Sequence, residues 1–216
     1  MKKFFLNIWY NILFQFDNHR DSIPVEWIEE HKEFNQYPEW IQRVHVAKDV
    51  IEQLNNSVYK ASKGNYISKV NLNTASFYHT DSETTAVPDI DVKTTIDKLK
   101  SCNVCAMGAC ILSITKFKNK LKWRTLLAHK NFTEYSPVIE MLQSLFSPYQ
   151  LALIEAAFEG RYNDSFTDRV AKTLGVRRLS DEDELKCRKF NYLNTDFDNL
   201  RLIMQNIIDN KGTFKP

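Results

Sequence analysis

The chain has 216 residues, 43% of them apolar and 26% charged, with a net charge of +2. That is long enough to bury a core without covalent staples, and too nearly neutral for a global field that commits it to nucleic acid or to a membrane surface. Four cysteines, five glycines and six prolines argue against a disulfide scaffold and against a many-turned all-β chain. The reading is a mainly α, compact multi-helix domain spanning 1–216, with at most a minor β-hairpin.

The first sixteen residues, MKKFFLNIWYNILFQF, predict an apolar N-terminal helix. Asn7, Asn11 and Gln15 recur every four residues and stack into one narrow polar stripe. Phe4, Phe5, Leu6, Ile8, Trp9, Ile12, Leu13 and Phe16 cover the rest. A helix apolar on most sides needs to be hidden on most sides. The expectation is a partner surface or self-association through residues 1–16, centred on Phe5 and Trp9. Membrane attachment is disfavoured, because only Lys2 and Lys3 supply positive charge. No apolar run reaches about 18 residues, the length of a membrane span, and the features of a secretory leader are missing. The setting expected is a reduced, cytoplasmic one.

Pro24 suits the first turn of a helix, and Val25–Phe34 reads as a short acidic one. Trp40, Val44, Ala47, Ile51 and Leu54 fall at i, i+4, i+7, i+11 and i+14, so Pro38–Asn55 is predicted as an amphipathic helix. Within it His45 and Asp49 are one turn apart, a spacing that allows a shared metal or a carboxylate-oriented imidazole; a solvated helix face is the commoner use of such a pair. Residues 61–89 form the least regular segment, with alternation over 66–72 that suits a short strand. Asp91 can cap a helix over 94–99. Residues 90–216 make up the expected helical core.

Ser101–Phe117, SCNVCAMGACILSITKF, holds Cys102, Cys105 and Cys110 and the densest run of small residues. It reads as a buried helix approached closely by its neighbours. Cys102 and Cys105 form a C-x-x-C, with three readings. Zinc would need Cys187 and a histidine or Cys110 besides; with no second C-x-x-C or H-x-x-H pair, the expectation is no metal and no cofactor. A reactive thiol would exploit a helix N-terminus, and makes Cys102 and Cys105 the candidate catalytic residues. Buried core cysteines are the third and favoured reading.

Lys116–Arg124, KFKNKLKWR, alternates cations with Phe117, Leu121 and Trp123. A basic strand or hairpin over 113–123 would offer Lys118, Lys120 and Lys122 for phosphates and Trp123 for stacking, with Arg177 and Arg178 as an extension. A solvated strand edge is the competing reading. Further on, Ser136-Pro137 and Ser147-Pro148 read as helix starts, with Gln150 completing a capping box on Ser147. Gly160 ends that helix. A helix over 166–174 stops at Gly175, Ser180 caps the next, and Thr195 or Asp196 opens the last, with Leu200, Ile203, Ile207 and Ile208 inward.

Cys102–Ala109, C-N-V-C-A-M-G-A, is similar to a C-A-x-G-A helix in small uncharacterised phage and bacterial proteins. Phe146–Gly160 and Leu200–Pro216 resemble the C-terminal half of the same proteins. The resemblance covers 101–216. It implies a phage or bacterial origin and a helical fold, and supplies no activity. The Cys at a helix start also resembles papain-like proteases, with Cys105 as the nucleophile. That family expects an aromatic after the cysteine and a distant downstream histidine; here Ala106 follows and the last histidine is His129. His45 and His79 are the other imidazoles that could serve. The leading functional expectation is an intracellular interaction protein. The alternatives are a cysteine-dependent enzyme and a nucleic-acid-binding protein.

Overall fold

The structure is a computed structural model describing residues 2–64, 66–73, 76–77, 89–118, 121–128, 137–160, 173–176, 179–191 and 195–216. His79, His129, Lys120, Arg177, Arg178, Ser136 and most of the helix expected over 166–174 lie outside the described residues.

The protein is mainly α with one small sheet. In chain order the elements are α1 (Lys2–Phe14), α2 (Val25–His31), α3 (Glu39–Asn55), β1 (Tyr59–Ala61), β2 (Ile67–Leu72), β3 (Ser76–Phe77), α4 (Val92–Thr95), β4 (Leu99–Val104) and α5 (Ala106–Phe117). Then come α6 (Trp123–Ala128), α7 (Pro137–Gln143), α8 (Pro148–Glu159), α9 (Asp181–Asn191) and α10 (Asp196–Asp209). The strand order is β1-β4-β2-β3, with β1 parallel to β4 and the other pairs antiparallel.

This sheet corrects two expectations. Among the described residues the sheet lies between 59 and 104, with the strand expected over 66–72 present as β2, whereas α5 runs on as helix to Phe117 and 113–123 contributes only an isolated antiparallel bridge of Lys122 with Asp91. The segment 101–117 is not one helix either. Residues 99–104 are a strand, and the helix begins only after Cys105. The physical reason is the sheet itself. Cys102 N–H reaches Val58 O at 2.8 Å and Ser62 N–H reaches Val104 O at 2.9 Å, bonds to distant residues that local propensity does not foresee.

Helix ends follow their local chemistry. Ser147 Oγ accepts the Gln150 N–H at 3.2 Å, with Pro148 at the first helical position. Gly160 closes α8 in the left-handed region, φ +60°. Thr195 and Ser180 cap α10 and α9 in the same way. The Gln150 side chain does not return to Ser147. It clamps the backbone N–H and C=O of Phe214 instead, at 2.6 and 3.1 Å.

Most buried side chains form a single apolar cluster around α5, whose residues 106–115 are all buried. A smaller cluster, Phe14, Ile23, Trp27, Ile28 and Ile41, joins α1 and α2 to the start of α3. Gly108 lets α5 lie directly on the start of β2. A Cβ built there would sit 1.9 Å from Tyr66 O and 3.1 Å from Ile67 Cγ1.

One charge pair reaches into this core. Asp49 on α3 is 5% exposed, and Lys116 Nζ meets its Oδ1 at 2.6 Å. Removing the cation strands a buried carboxylate, with only the Gln53 amide at 3.3 Å left on that oxygen. Lys116 is itself about one-third exposed, so water softens the loss. Lys116→Met is expected to cost about 1–3 kcal/mol, below the 3–5 of a fully buried pair. Urea unfolding checks it; a midpoint unchanged within error would mean that solvent already neutralises Asp49.

Candidate functional site

Cys105 stands where the chain leaves β4 and turns into α5, at the carboxyl end of the parallel pair β1–β4. Open sheets commonly place chemistry at this position, because a strand end and a helix N-terminus converge there. Cys105 is the N-cap of α5. Its Sγ accepts the Gly108 N–H at 3.5 Å, and its own N–H donates to Tyr66 O at 3.1 Å.

Two carboxylates face it. Glu155 and Glu159 lie one turn apart on α8, otherwise apolar over residues 151–158, and are 3% and 5% exposed. One donor atom from each of Cys105, Glu155 and Glu159 lies within 4.8 Å of the others. Glu159 is held from above by the β1–β2 turn, whose Gly64 N–H reaches both of its carboxylate oxygens, at 3.0 and 3.1 Å. Lys63 N–H, next along that turn, donates to Asp196 at 3.3 Å. One oxygen of Glu155, Oε2, is buried with no hydrogen-bond partner.

The electrostatics follow from burial. The Cys105 thiol is pushed well above its ordinary value by burial and then by the Glu155 and Glu159 carboxylates, against which the N–H groups of Gly108 and Met107 act only weakly. Glu155 is raised well above the ordinary carboxylate range by burial and then by the neighbouring Glu159 charge. The position at a helix N-terminus therefore does not make Cys105 a thiolate: desolvation and two carboxylates outweigh the dipole.

The other predicted residues are dispersed. Cys102 is fully buried in β4, its thiol raised by burial. Cys110 lies inside α5, pushed up to about 12 by burial and then by Glu155. Cys187 is on α9, its Sγ 3.6 Å from Leu153 O. All four cysteines are free and buried. His45 and Asp49 share no ligand. His45 Nε2 lies 3.1 Å from Glu29 while Asp49 pairs with Lys116.

Of the basic stretch, three described residues turn to partners on other segments. Lys116 turns to Asp49, Lys122 turns to Asp89 at 3.0 Å, and Trp123 is fully buried with its indole N–H on Thr95 Oγ1 at 2.7 Å. Trp123 is thus core and not a stacking platform. Lys118 is half-buried beside a surface groove of about 720 Å³ lined by Lys93, Phe117, Leu121, Glu140 and Met141 among others.

A second feature is α1. It packs on α2 through Tyr10, Leu13 and Phe14, and its polar stripe turns partly inward, with Asn7 Oδ1 accepting the Trp27 indole N–H at 3.0 Å and Asn11 Oδ1 accepting from Lys32 at 3.0 Å. The outward side is apolar. Phe4 is 66% exposed, Phe5 64%, Trp9 55% and Phe16 57%, with Ile8 and Ile12 exposed between them.

Sequence reasoning missed Glu155 and Glu159. Their signal was present: two acids four residues apart in a run otherwise apolar, where a charge without a purpose is costly. Comparison of the chain with protein-family models, with curated proteins and with solved structures finds no match.

Proposed function

We propose that this protein acts inside the cell by protein–protein association, with the outward face of α1 as its docking surface and a second copy of the chain as the first occupant. The observation that carries the reading is the inversion of α1: its asparagines bond to the body of the protein while Phe5, Ile8, Trp9, Ile12 and Phe16 face water. A contiguous apolar surface of several hundred Å² is unusual on a monomer and commonly marks an interface. Phenylalanine and tryptophan are the side chains interfaces favour, and tryptophan dominates their energetic centres.

The chemistry of the face supports a protein over a lipid surface. Positions 5, 8, 9 and 12 follow the i, i+3, i+4, i+7 spacing of a helix laid into an apolar groove, and Phe16, just past the end of α1, is exposed beside them. A membrane-surface helix wants lysine and arginine along its length, and α1 itself carries cations only at Lys2 and Lys3. An apolar face is also self-complementary, so two copies can meet about a two-fold axis without like charges opposing.

Light scattering of the purified chain is expected to give a dimer, and Phe5→Asp with Trp9→Asp a monomer. Both sites are exposed, so the melting temperature of the variant monomer is expected to stay within a few degrees of the wild type. A wild-type chain that stays monomeric and floats with anionic liposomes would replace this reading with membrane attachment. One that stays monomeric and does not float would remove α1 as a site of self-association.

A further inference from the structure

We infer that Cys105, Glu155 and Glu159 form a binding site for one divalent transition-metal ion, zinc in the first place, with an open fourth position toward the β1–β2 turn. The donors come from two separate elements, the β4–α5 junction and the last turns of α8, and converge within 4.8 Å. In a tetrahedral zinc site, metal–ligand bonds of about 2.0–2.3 Å place donors about 3.3–3.8 Å apart. The cluster therefore needs to contract by about 1 Å, within reach of side-chain rotation.

The second observation is the state of Glu155. Its Oε2 is buried without any hydrogen-bond partner, and its side chain is almost wholly out of water. Burial and the neighbouring Glu159 carboxylate both act against its charge. An apolar helix gains nothing from such a residue as packing: glutamine or leucine of similar size would spare the desolvation cost. An ion accounts for it. Divalent charge would neutralise the paired carboxylates, occupy the orphaned oxygen, and stabilise the Cys105 thiolate that this site otherwise disfavours.

The donor set also selects the ion. Magnesium and calcium prefer all-oxygen cages. A thiolate moves preference to zinc and its neighbours, and carboxylates are accepted by the same ions. Three protein ligands leave one position for water or a substrate atom, as in catalytic rather than structural sites. The structure offers a short way in: Gly64 is exposed and its N–H rests on Glu159, so one turn of chain separates the cluster from solvent. The sequence argument against metal rested on a missing second Cys or His pair. Here two carboxylates, one helical turn apart, stand in for that pair.

Binding is balanced by proton release. The metal-bound forms are the Cys105 thiolate and the two carboxylates, so whatever protons these groups carry leave to solvent as the ion binds, and affinity falls as pH falls.

The test uses the full chain, stripped with chelator and titrated with zinc alone, with bound metal counted by atomic spectroscopy. One ion per chain is expected. Cobalt as an optical probe is expected to give a near-ultraviolet thiolate-to-metal band that Cys105→Ser abolishes. Glu155→Gln, nearly isosteric, is expected to weaken zinc by at least about 100-fold, since even residues that only position ligands account for 10–100-fold. Cys102→Ser serves as a control that keeps both the stoichiometry and the band. Circular dichroism of each variant separates lost ligation from lost folding. A folded wild-type chain that takes up well below one ion overturns the site, as does full-strength binding in both Cys105→Ser and Glu155→Gln.

Discussion

Gly108→Ala is expected to cost about 1–3 kcal/mol net, although every helix-propensity scale counts the change as a gain. Alanine in place of glycine inside a helix is worth about 1 kcal/mol in favour. Against this stands the position of the missing Cβ, 1.9 Å from Tyr66 O and 2.9 Å from Tyr66 C. The obstacle is backbone, which cannot swing aside as a side-chain end would. It is also the backbone that receives the Cys105 N–H at 3.1 Å, so relieving the clash pulls α5 away from β2 and breaks that bond. Overpacking of a close-packed interior typically costs 1–3 kcal/mol, and the lost hydrogen bond adds about 1 more. Urea unfolding of the variant and the wild type decides the sign. A variant as stable as the wild type would show that α5 does not lie against β2 as described.

The second large effect is expected at Trp123. The indole is fully buried, its N–H bonds Thr95 Oγ1, and its backbone N–H reaches Ile90 O at 3.0 Å, holding α6 against the segment before α4. Trp123→Ala leaves a cavity that helices on several sides cannot close. A loss of about 3–5 kcal/mol is expected, which for a chain of this size lowers the melting temperature by about 6–20 °C. Trp123→Phe keeps most of the bulk and is expected to lose little more than the one hydrogen bond. If the two variants melt together, it is the hydrogen bond and not the volume that matters. If neither differs from the wild type, Trp123 is exposed in solution, and its reading as a base-stacking residue returns.

What was legible in the sequence was whatever chemistry is local. The caps at Ser147, Ser180 and Thr195, the stop at Gly160 and the helix α3 each depend on residues within one or two turns of one another, and each formed as expected. The buried side of α3 is shifted, with Ile41, Val46, Ala47, Val50 and Leu54 inside while Trp40, Val44 and Ile51 are only half-buried. The outward side of α1 was legible for the same reason, since its composition cannot be hidden on one face. The strand β4 was not. Leu99–Val104 carries no glycine or proline to mark its boundary with α5, and its partners lie some 30–45 residues earlier in the chain. The same holds for the candidate site. Cys105 stood out by its spacing, but its two carboxylates are fifty residues downstream, and only the packing of α8 beside α5 brings them to it. Lysine alternation over 116–122 misled in the opposite sense: α5 runs on through Phe117, and of the described lysines Lys116 turns to Asp49 and Lys122 to Asp89.

The packing of α10 against α3 has a consequence for how the chain is made. Arg43 on α3 donates to Gly212 O and to Leu145 O, both at 2.7 Å; the first of these contacts spans 169 residues. A ribosome delivers α3 well before the 196–214 segment. Until that segment emerges, the side of α3 that packs on α10 lacks its partner. The growing chain carries that side uncovered while the residues between are made, and closes it in a step whose entropy cost reflects a loop of that length. Nascent chains halted before residue 196 would be the species that aggregates or recruits a chaperone.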